Sequence, residues 1–163
     1  DPVLAPFTRV PAVENGVNLE GMAAEGRTLY LGFRSPVLRE GHVPVMLLRF
    51  DEPDDYSLRF LQLHGAGVRS LVRVDDGFLV LAAPDRKAAG ASAIYHWNGL
   101  DQVPGGGKQQ GRLERLLDLK AVRGGTPEGL TVVAEEDDYY EVLVIHDGIP
   151  GGHPLRTRLP RSR

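Results

Sequence analysis

Three stretches of this 163-residue chain repeat one pattern, and the repeat limits the fold more than any other property. The first is Asn18-Leu19-Glu20-Gly21-Met22-Ala23-Ala24, followed by a turn and Leu29-Tyr30-Leu31. The second is Gly67-Val68-Arg69-Ser70-Leu71-Val72-Arg73, then Asp75-Asp76-Gly77 and Phe78-Leu79-Val80-Leu81. The third is Thr126-Pro127-Glu128-Gly129-Leu130-Thr131-Val132, then an acidic turn and Val142-Leu143-Val144-Ile145. Glu20, Arg69 and Glu128 fall at equivalent places, as do Met22, Leu71 and Leu130. The spacings are 49 and 59 residues, and the extra ten are assigned to the loop 103–111 with its Pro104-Gly105-Gly106-Gly107 run.

Between and within these stretches lie apolar runs of five to eight residues, such as 28–33, 43–50, 78–83, 93–97 and 141–145. They are rich in β-branched and aromatic side chains and bounded by Gly, Pro, Asp or Asn, which is the pattern of strands. Glu25-Gly26 and Asp75-Asp76-Gly77 read as hairpin turns, and 51–55 and Asn98-Gly99 as further turns. The stretch 112–120 fits both a helical and a two-residue period; its neighbours are strands, and a strand is expected there. The 20 Gly and 12 Pro are spread between the apolar runs, as punctuation would be.

A period near 50 built from short strands and hairpins predicts an all-β, β-propeller-like fold. The blades would be 18–63, 68–119 and 127–163, within one domain, with the third having room for only two or three strands. The segment 3–10 is expected as an outer strand of some blade. A β-sandwich with an accidental repeat is the alternative.

In a propeller the innermost strands line a central channel, and their first residues face its mouth. Asn18, Glu20, Arg69 and Glu128 would converge there. Carboxylate and amide oxygens suit a hard cation such as Ca²⁺, with Asn18, Glu20 and Glu128 as its ligands. Arg69 suits an anionic ligand through its planar fork of donors. This set is compatible with metal-assisted hydrolysis of an ester or phosphoester. It is equally compatible with a structural network in which Arg69 pairs with the two glutamates.

Other chemistries find less support. The five histidines show no close zinc spacing, and His146-Asp147 reads as a strand end. Gly107-Lys108 is followed by Gln109, where a phosphate loop needs Ser or Thr. No Ser stands in a GxSxG elbow, and Tyr95 with Trp97 reads as packing between blades. The chain has no Cys, and no apolar stretch approaches the roughly 20 residues of a membrane helix. Net charge is −3, but four arginines (Arg156, Arg158, Arg161, Arg163) crowd the last eight residues. Without them 15 Lys and Arg face 22 Asp and Glu, and such an acidic body argues against a nucleic-acid groove. The basic tail reads as a solvated end.

Asn18-Leu19-Glu20-Gly21-Met22-Ala23, Leu31-Gly32-Phe33-Arg34-Ser35-Pro36, Gly67-Val68-Arg69-Ser70-Leu71, Ile94-Tyr95-His96-Trp97-Asn98-Gly99 and Pro127-Glu128-Gly129-Leu130 occur in that order. The set resembles a bacterial family catalogued only as a domain of unknown function with a propeller-like repeat. It is also distantly similar to the esterase-like phytase domains, which share the Glu-Gly-Leu strand start. The resemblance implies a propeller and a polar site around Asn18, Glu20, Arg34, Arg69 and Glu128, and it transfers no established activity. It also implies chains about twice this length, so the sequence reads as a C-terminal part. Two and a half blades cannot close a ring, and either a missing N-terminal half or a head-to-tail homodimer would complete it. Two functions follow as expectations: a hydrolase at the channel mouth, with Arg69 or Arg34 holding an anionic substrate, or a non-catalytic ligand- or protein-binding scaffold.

Overall fold

The expected hairpin turns each join a pair of antiparallel strands, and the strands gather into three sheets. The structure is a computed structural model and describes residues 1–84, 91–103 and 109–161. Most of the loop 103–111, including Gly107-Lys108, lies outside the described residues, as does Arg163.

Sheet 1 is a meander of β1 (Asn18–Glu25), β2 (Thr28–Ser35), β3 (His42–Arg49) and β4 (Tyr56–Gln62). Sheet 2 repeats it with β5 (Gly67–Val74), β6 (Gly77–Ala83), β7 (Ala93–Trp97) and β8 (Leu113–Asp118). Sheet 3 holds β9 (Thr126–Glu135), β10 (Tyr139–Asp147) and β11 (Leu155–Pro160). All pairings are antiparallel, and no α-helix occurs among the described residues. The ambiguous stretch 112–120 is the strand β8, with Leu119 buried just beyond it. Gly26 and Gly77 take positive φ in the two tight turns, a conformation that side chains with a Cβ rarely adopt.

The first strands of consecutive sheets pack on one another, β1 on β5 and β5 on β9. Each sheet thus has a leading face toward the preceding sheet and a trailing face toward the next. Leu71, Val80, Tyr95 and Trp97 on the leading face of sheet 2 share a core with Tyr30, Val45 and Leu47 of sheet 1. Tyr30 and Phe78 lie 4.4 Å apart between ring centres, and the Trp97 ring is 5.2 Å from Phe78. Trp97 donates its indole N–H to the Leu100 carbonyl at 2.7 Å, so the buried ring leaves no donor unpaired. Leu79, Leu81 and Ile94 on the trailing face of sheet 2 share a second core with Leu130, Tyr140, Val142 and Val144 of sheet 3. Sheet 2 is therefore apolar on both faces, which explains why every residue of β6 and β7 is buried.

Two expectations are corrected. The segment 3–10 is no strand: it forms a 3-10 turn over Ala5–Phe7, followed by a second over Ala12–Glu14. Pro2, Pro6 and Pro11 remove the donors a ladder would need. The basic tail is no loose end either, because 155–160 is a strand of sheet 3. Leu155, Thr157 and Leu159 alternate with Arg156 and Arg158, and Leu159 is fully buried. Arg156 pairs with Glu141 at 2.8 Å, and the guanidiniums of Arg158 and Arg161 lie over the rings of Tyr139 and Tyr140.

Candidate functional site

The three repeat-equivalent residues share a backbone peculiarity. In sheet 1, Leu19 pairs with Phe33 and Gly21 with Gly32, so Glu20 is left over. In sheet 2, Val68 pairs with Ala82 and Ser70 with Leu81, leaving Arg69. In sheet 3, Pro127 pairs with His146 and Gly129 with Ile145, leaving Glu128. Each first strand thus carries a β-bulge at the same repeat position. A bulge kinks the strand and re-aims the side chain of the extra residue.

The re-aimed side chains meet. Arg69 donates from one terminal nitrogen to Glu20 Oε2 at 2.9 Å and to Glu128 Oε1 at 3.3 Å. Its other terminal nitrogen donates to the Pro84 carbonyl at 3.3 Å. Arg34, on β2, donates to Glu20 Oε1 at 3.0 Å, and the Asn18 amide donates to the same oxygen at 3.2 Å. The structure therefore gathers all five expected residues, Asn18, Glu20, Arg34, Arg69 and Glu128, at one end of the sheets. Two guanidiniums face two carboxylates, so the cluster is formally neutral. The Arg69 side chain is 1% exposed, against 23% for Glu20 and 38% for Glu128. Its Nε is buried and unpartnered among the described residues.

The oxygens expected to hold a Ca²⁺ are in part engaged within the cluster itself. The guanidinium of Arg69 bridges the two carboxylates. The Asn18 amide offers its N–H to Glu20, and both oxygens of Glu20 are engaged. Among the described residues no group of three His, Cys, Asp or Glu side chains is placed to hold a metal ion.

Beside the cluster lies a cavity of about 320 Å³. The turn 12–15 forms one side, and Arg34, Ser35, Gly67 and Ala83 line the sheet ends opposite. Asn15 fixes that turn by accepting from the Val37 N–H at 2.7 Å and donating to the Val37 carbonyl at 3.1 Å. Arg34 thus reaches both the ion network and the cavity, whereas Arg69 is sealed beneath them.

Two further polar clusters lie outside the sequence expectations. Asp76, in the β5–β6 turn, accepts from the Tyr140 hydroxyl at 2.5 Å and stands 3.2 Å from His96 Nε2. Arg161 stands 3.7 Å from the same carboxylate. Burial pushes the Asp76 carboxyl up, but Tyr140, His96 and Arg161 together hold it below its ordinary value. Burial and the Asp76 carboxylate push the Tyr140 hydroxyl well above the usual phenol range. Arg73 grips Glu25 at 2.7 Å and holds that carboxyl below its ordinary value. These residues join different repeats, and sequence spacing carries no signal for such pairs.

His146 is buried at the end of β10 and lines a separate cavity of about 370 Å³ with Leu117, Leu119, His153 and Thr157. Its Nδ1 lies 3.2 Å from the His153 carbonyl.

No curated protein and no solved structure matches the chain. Residues 1–158 match the family described as protein of unknown function (DUF3616), and the chain belongs to that family.

Proposed function

We propose that this chain is part of a β-propeller-like binding module, with blades at 18–63, 68–119 and 127–163, and that it performs no metal-assisted hydrolysis. The observation that carries this reading is the position of Arg69, bridging Glu20 and Glu128. A buried guanidinium there neutralises the carboxylates and ties together three inner strands, which is a structural task. The stacking of β1, β5 and β9 and the three equivalent bulges support the propeller-like architecture.

The ligand site is the cavity beside Arg34, and the ligand is a small molecule with a carboxylate or phosphate group. Arg34 supplies charge and a planar set of donors at the cavity wall. The likeness to esterase-like phytase domains is then a likeness of strand starts and not of chemistry.

Calorimetric titration with CaCl₂, a thermal-shift titration with inorganic phosphate, and turnover of p-nitrophenyl phosphate with and without Ca²⁺ test this reading together. Phosphate should raise the melting temperature of the parent and not of Arg34→Gln, with no heat from Ca²⁺ and no turnover. Ca²⁺-dependent hydrolysis that disappears in Glu20→Gln would refute it.

A further inference from the structure

The internal repeat makes one kind of sheet interface twice, and both of its halves are also presented to solvent. Met22, Leu71 and Leu130 are equivalent leading-face residues. Leu71 and Leu130 are 3% and 7% exposed because a preceding sheet covers them, whereas Met22 is 66% exposed. Val68 rests against Gly21 and Gly32: a Cβ added to Gly32 would come within 2.6 Å of it. Its equivalent in sheet 1, Leu19, is 47% exposed. Leu31, paired with Met22, is half-buried, while its equivalents Val80 and Val144 are fully buried.

The trailing faces show the converse. Gly32, Leu81 and Ile145 are equivalent by strand register. Leu81 is fully buried under sheet 3, whereas Ile145 is 49% exposed, with Val133 exposed on the same sheet. Among the described residues, therefore, nothing covers most of the leading face of sheet 1 or the trailing face of sheet 3. The first is the surface that a trailing face packs against, and the second is the surface that a leading face packs against.

We propose that a second copy of this chain fills both vacancies, with the leading face of sheet 1 packed on the trailing face of sheet 3 of its partner, twice, about a two-fold axis. The partner is a copy because the two open faces are complementary halves of the interface already formed between sheets 1 and 2 and between sheets 2 and 3. The N-terminal segment covers one end of the leading face, where Leu4 and Phe33 are both buried. Strands about 4.8 Å apart, with about 3.3 Å per residue, leave an open area of about 400 Å² on each face. Two such contacts bury about 800 Å² per protomer, the size of a standard stable interface. Apolar contact of this kind is head-to-tail, and it gives a closed assembly only when the rotation closes.

Light scattering of the 163-residue chain should give twice the 17.8 kDa of one copy. Met22→Lys places a charge on a side chain that is exposed in one copy, so it should leave thermal unfolding cooperative and abolish the dimer. Val68 touches Gly32, so their equivalents Leu19 and Ile145 should touch across the new interface. The chain has no Cys of its own, so Leu19→Cys with Ile145→Cys should form an interchain disulfide under mild oxidation, and neither single variant should. A monomer at all concentrations, a polymer that lengthens with concentration, or a dimer that ignores Met22→Lys and does not cross-link would each overturn the proposal.

Discussion

Replacing Arg69 by Met removes the charge that joins β1, β5 and β9 while keeping an unbranched chain of similar reach. Glu20 and Glu128 lose the guanidinium that bridges them, at 2.9 and 3.3 Å. Breaking a fully buried pair costs about 3–5 kcal/mol, because one charge is left uncompensated. Here both carboxylates are part-exposed, and Glu20 keeps Arg34 at 3.0 Å, so water and Arg34 offset part of the loss. The released Pro84 carbonyl adds about 1 kcal/mol. The expected destabilisation is about 2–3 kcal/mol, which at about 2–4 °C per kcal/mol lowers the melting temperature by about 5–10 °C. Urea unfolding gives the free energy and calorimetry the temperature. The substitution also removes the competitor for a cation. CaCl₂ at millimolar concentration should stabilise Arg69→Met and leave the parent unchanged. If the parent gains as much from Ca²⁺ as the variant, Arg69 excludes no cation; if Arg69→Met unfolds with the parent's midpoint, Arg69 does not hold the sheets.

Gly32→Ala should cost about 1–3 kcal/mol by overpacking against Val68, and Val68→Ala in the same chain should recover part of it; additive losses in urea unfolding would show that the two sites do not meet. Leu81→Ala opens a cavity between sheets 2 and 3 and should cost about 2–5 kcal/mol, read from the same transition. Tyr140→Phe removes the hydroxyl that Asp76 accepts from and should cost about 1–2 kcal/mol at neutral pH. The Tyr140 pKa is raised in the folded state, so its contribution is full below the ordinary phenol value near 10 and is lost as pH rises beyond it. Asp76 and Glu25 are depressed, so theirs are present above ordinary carboxylate values and are lost as pH falls through the folded ones. Tyr140→Phe should therefore flatten the alkaline limb of stability against pH; an unchanged alkaline limb would count against the Tyr140–Asp76 bond.

Strand positions were legible because each strand is short, apolar and closed by Gly, Asp or Pro, and those are local properties of the backbone. The meeting of Glu20, Arg69 and Glu128 was legible for a different reason: equivalent places in equivalent strands must come together if the strands themselves stack. The cause of that convergence was hidden. A bulge is an event between two strands; Gly21 and Gly129 fit a bulge but equally a close backbone approach, and Ser70 after Arg69 carries no such signal. The Asp76–His96–Tyr140 cluster was hidden likewise, because it joins a turn of one sheet to strands of two. At 3–10 the expected outer strand gives way to a 3-10 turn, with a second following it, because prolines around it remove the donors a ladder needs.

Arg69 is the one basic residue among the three bulge positions, and its place in the order follows from the stacking. Sheet 2 lies between sheets 1 and 3, so a cation on β5 reaches both neighbours, while a carboxylate there would face two like charges. Exchanging the signs outright tests whether order or mere pairing matters. Glu20→Arg with Arg69→Glu preserves one opposite pair. It also sets the introduced carboxylate of β5 against Glu128, and the introduced guanidinium of β1 against Arg34. If the arrangement specifies which sheets lie together, this swap should be less stable than Arg69→Met although it keeps the cluster's net charge. Equal stability would mean that the sheets are ordered by their apolar faces alone and that the ion network only tolerates that order.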